Sequence, residues 1–295
     1  MQYRTLGRTG AQISAVSLGG AYLAGDDPEG AVDNARAIVH GAFELGINYI
    51  DTAPLYGNSE VLLGHALKGQ KQPFYLSTKV GFDPPDFDYR RDSVLWSLER
   101  SLKRLGLPKL FGAQIHEVNL AGWERITEPG GTLEGLRAAQ KQGLCDIIGI
   151  TGRAIPLLAR LAATGEFDTM LFYHDYHPAA QRALKEVVPA AAAKNMGIVA
   201  ATVLAGRLFV EGPEQQQALE NIRKQEGEGE AQRVAALIER LGPESGTLPQ
   251  KAFRYVLGDD RISTVSSGAA SPAQLLEVAR APEMGPLQYF SPDEV

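Results

Sequence analysis

The stretch that most strongly constrains the fold runs from Asn48 to Glu60, in the order Asn-Tyr-Ile-Asp-Thr-Ala-Pro-Leu-Tyr-Gly-Asn-Ser-Glu. It begins as a short apolar run, reaches an acid, Asp51, at the predicted strand end, and crosses a Pro/Gly turn that carries Tyr56. A helix is predicted to begin at Ser59, acting as N-cap, with Glu60 in its first turn, because apolar residues follow at helical spacing. Asp51 and Tyr56 are therefore expected at the carboxyl end of a strand, where parallel α/β folds place their chemistry.

The rest of the chain repeats the alternation of strand and helix. Tyr3 to Ser14 is predicted to be a hairpin, followed by a first buried strand at 15–18. Further strands are predicted at 47–51, 74–79, 111–116, 146–150, 169–173, 197–202 and 262–266. Helices are predicted at 29–45, 59–68, 92–105, 133–142, 154–163 and 180–195, within 213–258, and at 272–281. Helix ends are expected at Gly46, Gly106, Gly143, Gly165 and Gly197.

Eight alternations at this spacing predict one (β/α)8 TIM barrel domain over residues 1–295, with an N-terminal β-hairpin. Two segments fall outside the repeat: the loop Gly81 to Arg91, and a polar segment from Gly206 to Glu230 whose acidic end is expected to be solvated loop. Both follow strands and should lie on the same face as Tyr56, where long loops commonly form lids or pocket walls.

Composition limits the classes of function. The chain has 295 residues, of which 44% are hydrophobic, and a net charge of −6. It has no basic patch interleaved with aromatic residues, so nucleic acid is not an expected partner. One cysteine, Cys145, excludes an internal disulfide and a Cys-rich metal site. We find neither an apolar signal segment at the start nor a run of 18 apolar residues, which favours a soluble, cytoplasmic protein without membrane contact.

Two further ionisable residues end neighbouring strands. Lys79 closes the third predicted barrel strand and His116 the fourth, while Asp51 ends the second. Adjacent strands lie about 4.8 Å apart, so these side chains and Tyr56 can share one pocket. Taken singly, each has a structural interpretation: a turn-forming Asp, a packed Tyr, a solvated Lys, a core His. Their coincidence at successive strand ends favours a functional site.

The four side chains suit proton transfer at a carbonyl or alcohol. A lysine ammonium beside a phenol favours the phenolate, and an aspartate can keep that lysine charged. A histidine can donate a hydrogen bond to a carbonyl or alkoxide oxygen. Since the set contains no activated Ser or Cys nucleophile, a redox reaction would draw its electrons from a cofactor.

Asp51-Thr-Ala-Pro-Leu-Tyr56-Gly-Asn-Ser-Glu60, Ser77-Thr-Lys79 and the strand-end His116 resemble the aldo-keto reductase family over essentially the whole chain. The resemblance implies a (β/α)8 barrel that binds a nicotinamide cofactor across its mouth without a Rossmann domain. It also implies that Asp51, Tyr56, Lys79 and His116 form a catalytic tetrad with Tyr56 as general acid/base. The implied cofactor contacts are Gly20, Thr151, Gly152, Tyr173, Thr202, Leu204, Gly206, Ser266, Gly268, Gln274 and Glu277.

Departures from the family pattern indicate a subgroup. The fifth strand ends Gly149-Ile-Thr-Gly152 instead of Gly-x-Ser-Asn, and Tyr173 stands where many members have Gln. Both are similar to the L-galactose and D-threo-aldose dehydrogenases, which oxidise the anomeric hydroxyl of a sugar with NAD. No aromatic residue is available at the end of the seventh strand to stack on the nicotinamide.

The resemblance implies NAD in preference to NADP, and a small sugar or aldehyde as substrate. Members that bind the 2′-phosphate carry a basic residue, a Ser and an Arg where this chain has Gly268, Ala269 and Gln274. Arg261 and Arg280 are alternative phosphate partners.

Polar residues near the mouth that could bind substrate are Asp83, Asp86, Glu117, His174 and Asp175, and His174 with His177 resembles a metal pair only weakly. The alternatives to a sugar dehydrogenase are an NADPH-dependent aldehyde reductase and a cofactor-binding regulatory subunit resembling the β subunits of potassium channels. The sequence does not indicate an oligomeric state.

Overall fold

The computed structural model describes residues 1–24, 30–83 and 86–288. The strands are β1 Tyr3–Thr5, β2 Gln12–Ser14, β3 Val16–Gly19, β4 Tyr49–Asp51, β5 Tyr75–Val80, β6 Phe82–Asp83, β7 Asp86–Phe87, β8 Leu110–Ile115, β9 Cys145–Gly152, β10 Thr169–Tyr173, β11 Gly197–Ala201 and β12 Thr264–Ser267. The helices are α1 Ala31–Glu44, α2 Ser59–Leu67, α3 Arg91–Leu105, α4 Val118–Thr127, α5 Thr132–Lys141, α6 Ile155–Ala163, α7 Val187–Ala193, α8 Pro213–Glu226, α9 Glu228–Arg240, α10 Leu248–Leu257 and α11 Pro272–Ala279.

Eight parallel strands close into a barrel in the order β3, β4, β5, β8, β9, β10, β11, β12, with β12 pairing back to β3. The strands β1 and β2 form the predicted antiparallel hairpin outside the barrel. The predicted (β/α)8 fold with an N-terminal hairpin is therefore confirmed. Within the described residues, no helix is both long and apolar enough to cross a membrane.

One predicted helix is interrupted in the structure, and one helix was not predicted. The helix predicted at 180–195 is a 3-10 turn at Arg182–Leu184 followed by the short α7, because a bridge between His177 and Ala180 holds the preceding chain in a turn. The helix α4 was not predicted, since Gly122, with φ of +76°, interrupts its helical pattern.

The acidic run near Glu226 was predicted to be solvated loop, and this was wrong. Helices α8 and α9 meet at Gly227, whose φ of +99° ends α8. Glu228 and Glu230 lie in the first turn of α9, where carboxylates interact favourably with the helix dipole. Arg223 also pairs with Glu228 at 2.6 Å across the junction.

The start of α2 also corrects a prediction. Asn58, not Ser59, occupies the N-cap position, and it makes no side-chain capping bond. The Ser59 hydroxyl is buried and lies 2.8 Å from the hydroxyl of Thr52, so it ties the helix to the strand end instead. Glu60 is buried and accepts hydrogen bonds from Thr78 at 2.7 Å and Arg104 at 2.8 Å, which locks α2 onto β5 and α3.

Most of the predicted glycine helix ends are confirmed, with one exception. Gly46, Gly106, Gly143 and Gly165 have positive φ at or just beyond helix ends. Gly197 instead begins β11, and it is required for packing, because a Cβ there would lie 2.4 Å from Leu6 Cδ1.

An apolar cluster fills the lower barrel and the hairpin closes it from below. Leu6 and Ile13 of the hairpin pack with Tyr49, Ile147, Leu171 and Val199 from the inward faces of the strands. Because the interior is packed with side chains at this end, polar groups of the strands can face open space only at the carboxyl end.

We predict that Gly197→Ala destabilises the fold by about 1–3 kcal/mol, because the added methyl group overpacks against the fully buried Leu6. Urea unfolding should show a lower midpoint with an unchanged slope. Gly229→Ala is the matched control, because Gly229 lies in α9 with open space at its Cβ position. An equal effect of both variants would contradict this account of the barrel floor.

Candidate active site

Asp51 and Lys79 form a buried ion pair at the carboxyl end of the barrel. Lys79 Nζ lies 2.5 Å from Asp51 Oδ2 and donates a second bond of 3.0 Å to the carbonyl of Thr52. The lysine side chain is 1% exposed and the aspartate 5%. Burial lowers the pKa of Lys79, but the Asp51 carboxylate and the Tyr56 side chain outweigh it and raise the pKa overall. The lysine is therefore an ammonium at any ordinary pH.

Strand register explains how this pair forms. Asp51 on β4 is paired with Ser77 on β5, and Lys79 follows two residues later on the same face of β5. Lys79 is in turn paired with Gln114 on β8. The Nε2 of Gln114 donates to Asp51 Oδ1 at 2.9 Å, so each carboxylate oxygen has its own donor. Sequence reasoning missed Gln114, although a polar residue two positions before His116 on an apolar strand was a usable signal.

Tyr56 lies against the lysine and the histidine. Lys79 Nζ is 4.8 Å from the centroid of the Tyr56 ring. The Tyr56 and His116 rings are 5.8 Å apart and perpendicular. The four predicted residues Asp51, Tyr56, Lys79 and His116 are thus brought together in one continuous set of contacts.

His116 is held neutral. It is 4% exposed, and burial, followed by the charge on Lys79, lowers its pKa to about 3. Tyr89 fixes the backbone by donating from its hydroxyl to the His116 carbonyl at 2.7 Å. The Phe82 ring lies 5.7 Å from the His116 ring, centroid to centroid. A neutral imidazole has one N–H and can therefore act as a hydrogen-bond donor without contributing charge.

Glu117 forms a second polar group beside the first. Its Oε1 accepts from the Tyr173 hydroxyl at 2.6 Å, and its backbone has a positive φ of 54°. Burial and the hydrogen bond to Glu117 raise the pKa of Tyr173, and the charges of Glu117 and Tyr56 act in the same direction. Tyr173 therefore lies within electrostatic reach of Tyr56 and is a phenol, not a phenolate. A non-glycine residue in this strained conformation directly after His116 is typical of functional sites.

The other polar residues predicted near the mouth differ in how accessible their side chains are. Asp175 is fully buried and pairs with Arg153 and Arg182, so its carboxylate does not face the mouth. His174 is partly exposed. The side chains of Asp83 and Asp86 lie outside the described residues. Among the described residues there is no group of three or more metal-binding side chains.

The residues predicted to contact the cofactor differ in how they are placed around the barrel mouth. Gly20 packs against the start of α2, where a Cβ would lie 2.5 Å from Ser59 Oγ. Thr151 is buried, and its hydroxyl donates to the Ile115 carbonyl at 3.0 Å, so the structure does not bring that hydroxyl to the mouth. Gly152 ends β9 and is buried. Ser266 lies in β12 and is 8% exposed.

The segment after β11 has an open backbone. Thr202, Ala205, Gly206 and Arg207 have positive φ, and Leu204 packs against the main core. The backbone N–H groups of Gly206 and Arg207 make no hydrogen bond within the part of the chain that the structure describes. Both residues are exposed. Successive free N–H groups in such a turn are suited to binding an anion.

The segment after β12 is largely committed to its own structure. Gln274 Oε1 accepts from the N–H of Ala270 at 2.8 Å, and its backbone N–H bonds Ser271 Oγ, which caps α11. A Cβ at Gly268 would lie 2.9 Å from the Tyr22 ring. Glu277 is half-buried, and its backbone carbonyl accepts from Gln250 at 2.9 Å.

The chain belongs to the aldo/keto reductase family, whose model matches residues 15–289. It is 29% identical over 286 residues to L-galactose dehydrogenase of Arabidopsis thaliana, covering 94% of this chain and 86% of that protein. It is 27% identical to D-threo-aldose 1-dehydrogenase of a Pseudomonas species, with 92% and 89% covered. The structure of the aldo-keto reductase AKR11C1 from Bacillus halodurans superposes with a TM-score of 0.81 at 27% identity, covering 98% of this chain and 93% of that one.

The chain is therefore an oxidoreductase of a family that uses nicotinamide cofactors. Some, but not all, of the residues at the barrel mouth fit a nicotinamide cofactor. The open, exposed backbone at Gly206 and Arg207 suits its diphosphate. Thr151 does not fit, because its hydroxyl is used within the barrel wall.

We predict that acid destabilises the protein through His116. The unfolded chain takes up a proton near pH 6.5, whereas the folded chain resists it until about 3. Unfolding free energy should therefore fall as the pH drops below about 6.5, by up to about 1.4 kcal/mol per pH unit from this group. His177, with a pKa lowered to about 4 mainly by burial, acts in the same direction.

Urea unfolding of wild type and His116→Asn at pH 7, 6 and 5 measures this slope. The variant should lose about one proton's worth of pH dependence. His65→Asn, at an exposed position on α2, is the control. If the two variants give the same slope as wild type, His116 does not have the lowered pKa.

Proposed function

We propose that this aldo-keto reductase oxidises the C1 hydroxyl of an aldose to a lactone with NAD, using Asp51, Tyr56, Lys79 and His116 as catalytic residues. The observation that supports the proposal most directly is the contact of Tyr56 with a lysine that is fully buried and charged. Such a lysine is costly to bury, and phenolate stabilisation gives it a function.

Tyr56 would move the proton. The Lys79 ammonium stabilises a phenolate on Tyr56, which can then take the proton from the substrate hydroxyl. Asp51 keeps the lysine charged through the 2.5 Å contact. A bound nicotinamide would accept the hydride from C1, and the chain's own groups would handle the proton and the oxygen.

His116 would hold the reacting oxygen. Because its imidazole is neutral, it can donate to that oxygen in both the alcohol and the carbonyl state. It would orient C1 without competing with Tyr56 for the proton. An anomeric carbon suits this arrangement, since the ring oxygen stabilises the positive charge that develops as hydride leaves.

The remaining parts of the mouth would select cofactor and sugar. The free N–H groups of Gly206 and Arg207 are proposed to bind the diphosphate, with Thr202, Leu204, Ser266 and Glu277 along the same rim. Glu117 and His174 are proposed to bind sugar hydroxyls, because both are polar and partly accessible next to Tyr173.

NAD is the proposed cofactor because the positions for a 2′-phosphate lack charge. Each charge-assisted hydrogen bond to such a phosphate is worth about 1.5–3 kcal/mol. Gln274 is bound to Ala270, and Tyr22 occupies the space that a side chain at position 268 would need. Arg261 precedes β12, at the opposite end of the barrel, and pairs with Asp259 at 2.7 Å. Arg280 lies six residues beyond Gln274, about 9 Å further along α11.

Two other functions remain as rivals. An NADPH-dependent aldehyde reductase would use the same tetrad in the other direction. A cofactor-binding regulatory subunit would keep the fold without turnover. A cytoplasmic location is part of the proposal.

We predict that Tyr56→Phe lowers kcat by about 10²–10⁴-fold while the dissociation constant for NAD changes little, since only the hydroxyl relays the proton. Tyr49→Phe is a matched control. It removes another hydroxyl of the barrel interior, bonded to Ser77 at 3.1 Å, and should keep turnover within about threefold. A Tyr56→Phe enzyme with more than a tenth of wild-type kcat would place the proton transfer elsewhere.

We predict higher kcat/KM with NAD than with NADP on an aldose panel, because the positions that would bind a 2′-phosphate lack charge. The initial rates of NADH and NADPH formation give the two kcat/KM values. Equal or higher kcat/KM with NADP would refute the cofactor assignment. Absence of aldose oxidation between pH 7 and 10, with brisk reduction of aromatic aldehydes by NADPH, would favour the reductase. Tight cofactor binding without either reaction would favour the binding subunit.

A further inference from the structure

Gln114 is a buried amide that contacts the ion pair and no solvent. It lies on β8, is 1% exposed, and is flanked in the sheet by Lys79 on β5 and Gly149 on β9. Its Nε2 donates to Asp51 Oδ1 at 2.9 Å, while Lys79 takes Oδ2. A Cβ at Gly149 would lie 2.2 Å from Thr169 Oγ1 and 3.1 Å from Gln114 Cγ, so a larger residue there would crowd both side chains.

Burying the Gln114 amide costs free energy, and the fold does not require an amide at this position. Gln114 Oε1 is buried and has no hydrogen-bond partner among the described residues. An unsatisfied buried acceptor costs about 1–3 kcal/mol, and an apolar side chain of similar size would avoid that cost. Gln114 therefore calls for an explanation beyond packing, and its one good hydrogen bond goes to Asp51.

We infer that Gln114 is a positioning residue, which fixes the Asp51 carboxylate so that the carboxylate aims Lys79 at Tyr56. The inference rests on the proposed roles of Asp51, Lys79 and Tyr56. With both oxygens bound by different donors, the carboxylate cannot rotate, and the ammonium is held between Oδ2 and the Thr52 carbonyl. Without the amide, Oδ1 is buried and unpaired, and the carboxylate can turn to share both oxygens with the lysine.

A purely structural role makes a different prediction. If Gln114 served only to fill the barrel, its replacement would lower stability and affect binding and chemistry alike. A positioning role lowers the rate of the chemical step and leaves cofactor binding intact. Comparing the rate of the chemical step with the affinity for the cofactor therefore distinguishes the two roles.

The first test is Gln114→Leu, measured as the single-turnover rate of NADH formation with the best aldose from the panel. We expect a hydride transfer that is about 10–100-fold slower, by analogy with the hydrogen-bond partners of metal ligands, whose removal costs about that range. The dissociation constant for NAD and the substrate KM should stay within about threefold. Ser101→Ala is the control, because it also removes a buried polar atom without a partner, on α3 away from the ion pair.

The second test is a double-mutant cycle with Asp51→Asn. If Gln114 acts through Asp51, Gln114→Leu should slow the Asp51→Asn enzyme by less than about threefold. Additive effects would overturn the inference. Gln114→Glu is a third, conservative variant. Its protonated carboxyl can donate a hydrogen bond to Asp51 as the amide does, whereas the ionised carboxylate repels Asp51. The ratio of variant to wild-type rate should therefore fall as the pH rises, which Gln114→Leu should not show.

A readout without turnover completes the test. In the protein without cofactor, the Gln114 side-chain N–H that donates to a buried carboxylate should give a downfield, slowly exchanging NMR signal. The signal should vanish in Gln114→Leu and shift in Asp51→Asn. If wild type turns over no aldose but this signal is present, the sugar assignment fails while the contact stands. If Gln114→Leu folds, binds NAD and transfers hydride at the wild-type rate, the positioning role is wrong.

Discussion

The structure of the barrel mouth depends on keeping the buried ammonium group of Lys79 charged. Burying an ion pair removes hydration worth several kcal/mol per ion, and the loss is recovered only if every donor and acceptor is well placed. Lys79 meets this condition with Asp51 and the Thr52 carbonyl, and Asp51 meets it with Lys79 and Gln114. The positive charge also accounts for part of the lowered pKa of His116. The ion pair thereby adds to the effect of burial in keeping His116 neutral.

The barrel supplies the precision that this pair needs. Parallel register pairs Lys79 with Gln114 and places Asp51 opposite Ser77, two residues before Lys79, so the three residues lie on consecutive barrel strands. The floor below them is apolar and is closed by Leu6 and Ile13 of the hairpin. Water therefore reaches the pair from one side only. The weaker dielectric screening strengthens the effect of the ammonium on Tyr56.

The sequence predicted the parts of the site that repeat with the strands. Asp51, Lys79 and His116 each follow an apolar run, so strand ends and chemistry could be located together. It could not predict roles set by contacts between distant segments. Ser59 matches an N-cap by residue type, yet its hydroxyl bonds Thr52. Gly197 matches a helix end, yet Leu6, far away in the chain, is the reason that it must be glycine. Thr151 and Gln114 were misjudged or missed for the same reason, since only the closed barrel brings β8 and its neighbours into contact.

Residues placed by the strands can be located from the sequence more readily than residues whose positions depend on side-chain contacts. Asp51 and Lys79 lie on strands and His116 directly follows β8, so the barrel register sets their positions, whereas Tyr56 lies in the turn after β4. Glu117, by contrast, leaves the strand with a positive φ, and its position depends on the Tyr173 hydroxyl and on the backbone contact to Thr151. Asp175, with the same chemistry and a place on the same rim, is turned inward by Arg153 and Arg182. Two carboxylates that the sequence does not distinguish thus end in different environments, and the pairing of each with its neighbours decides which one remains accessible.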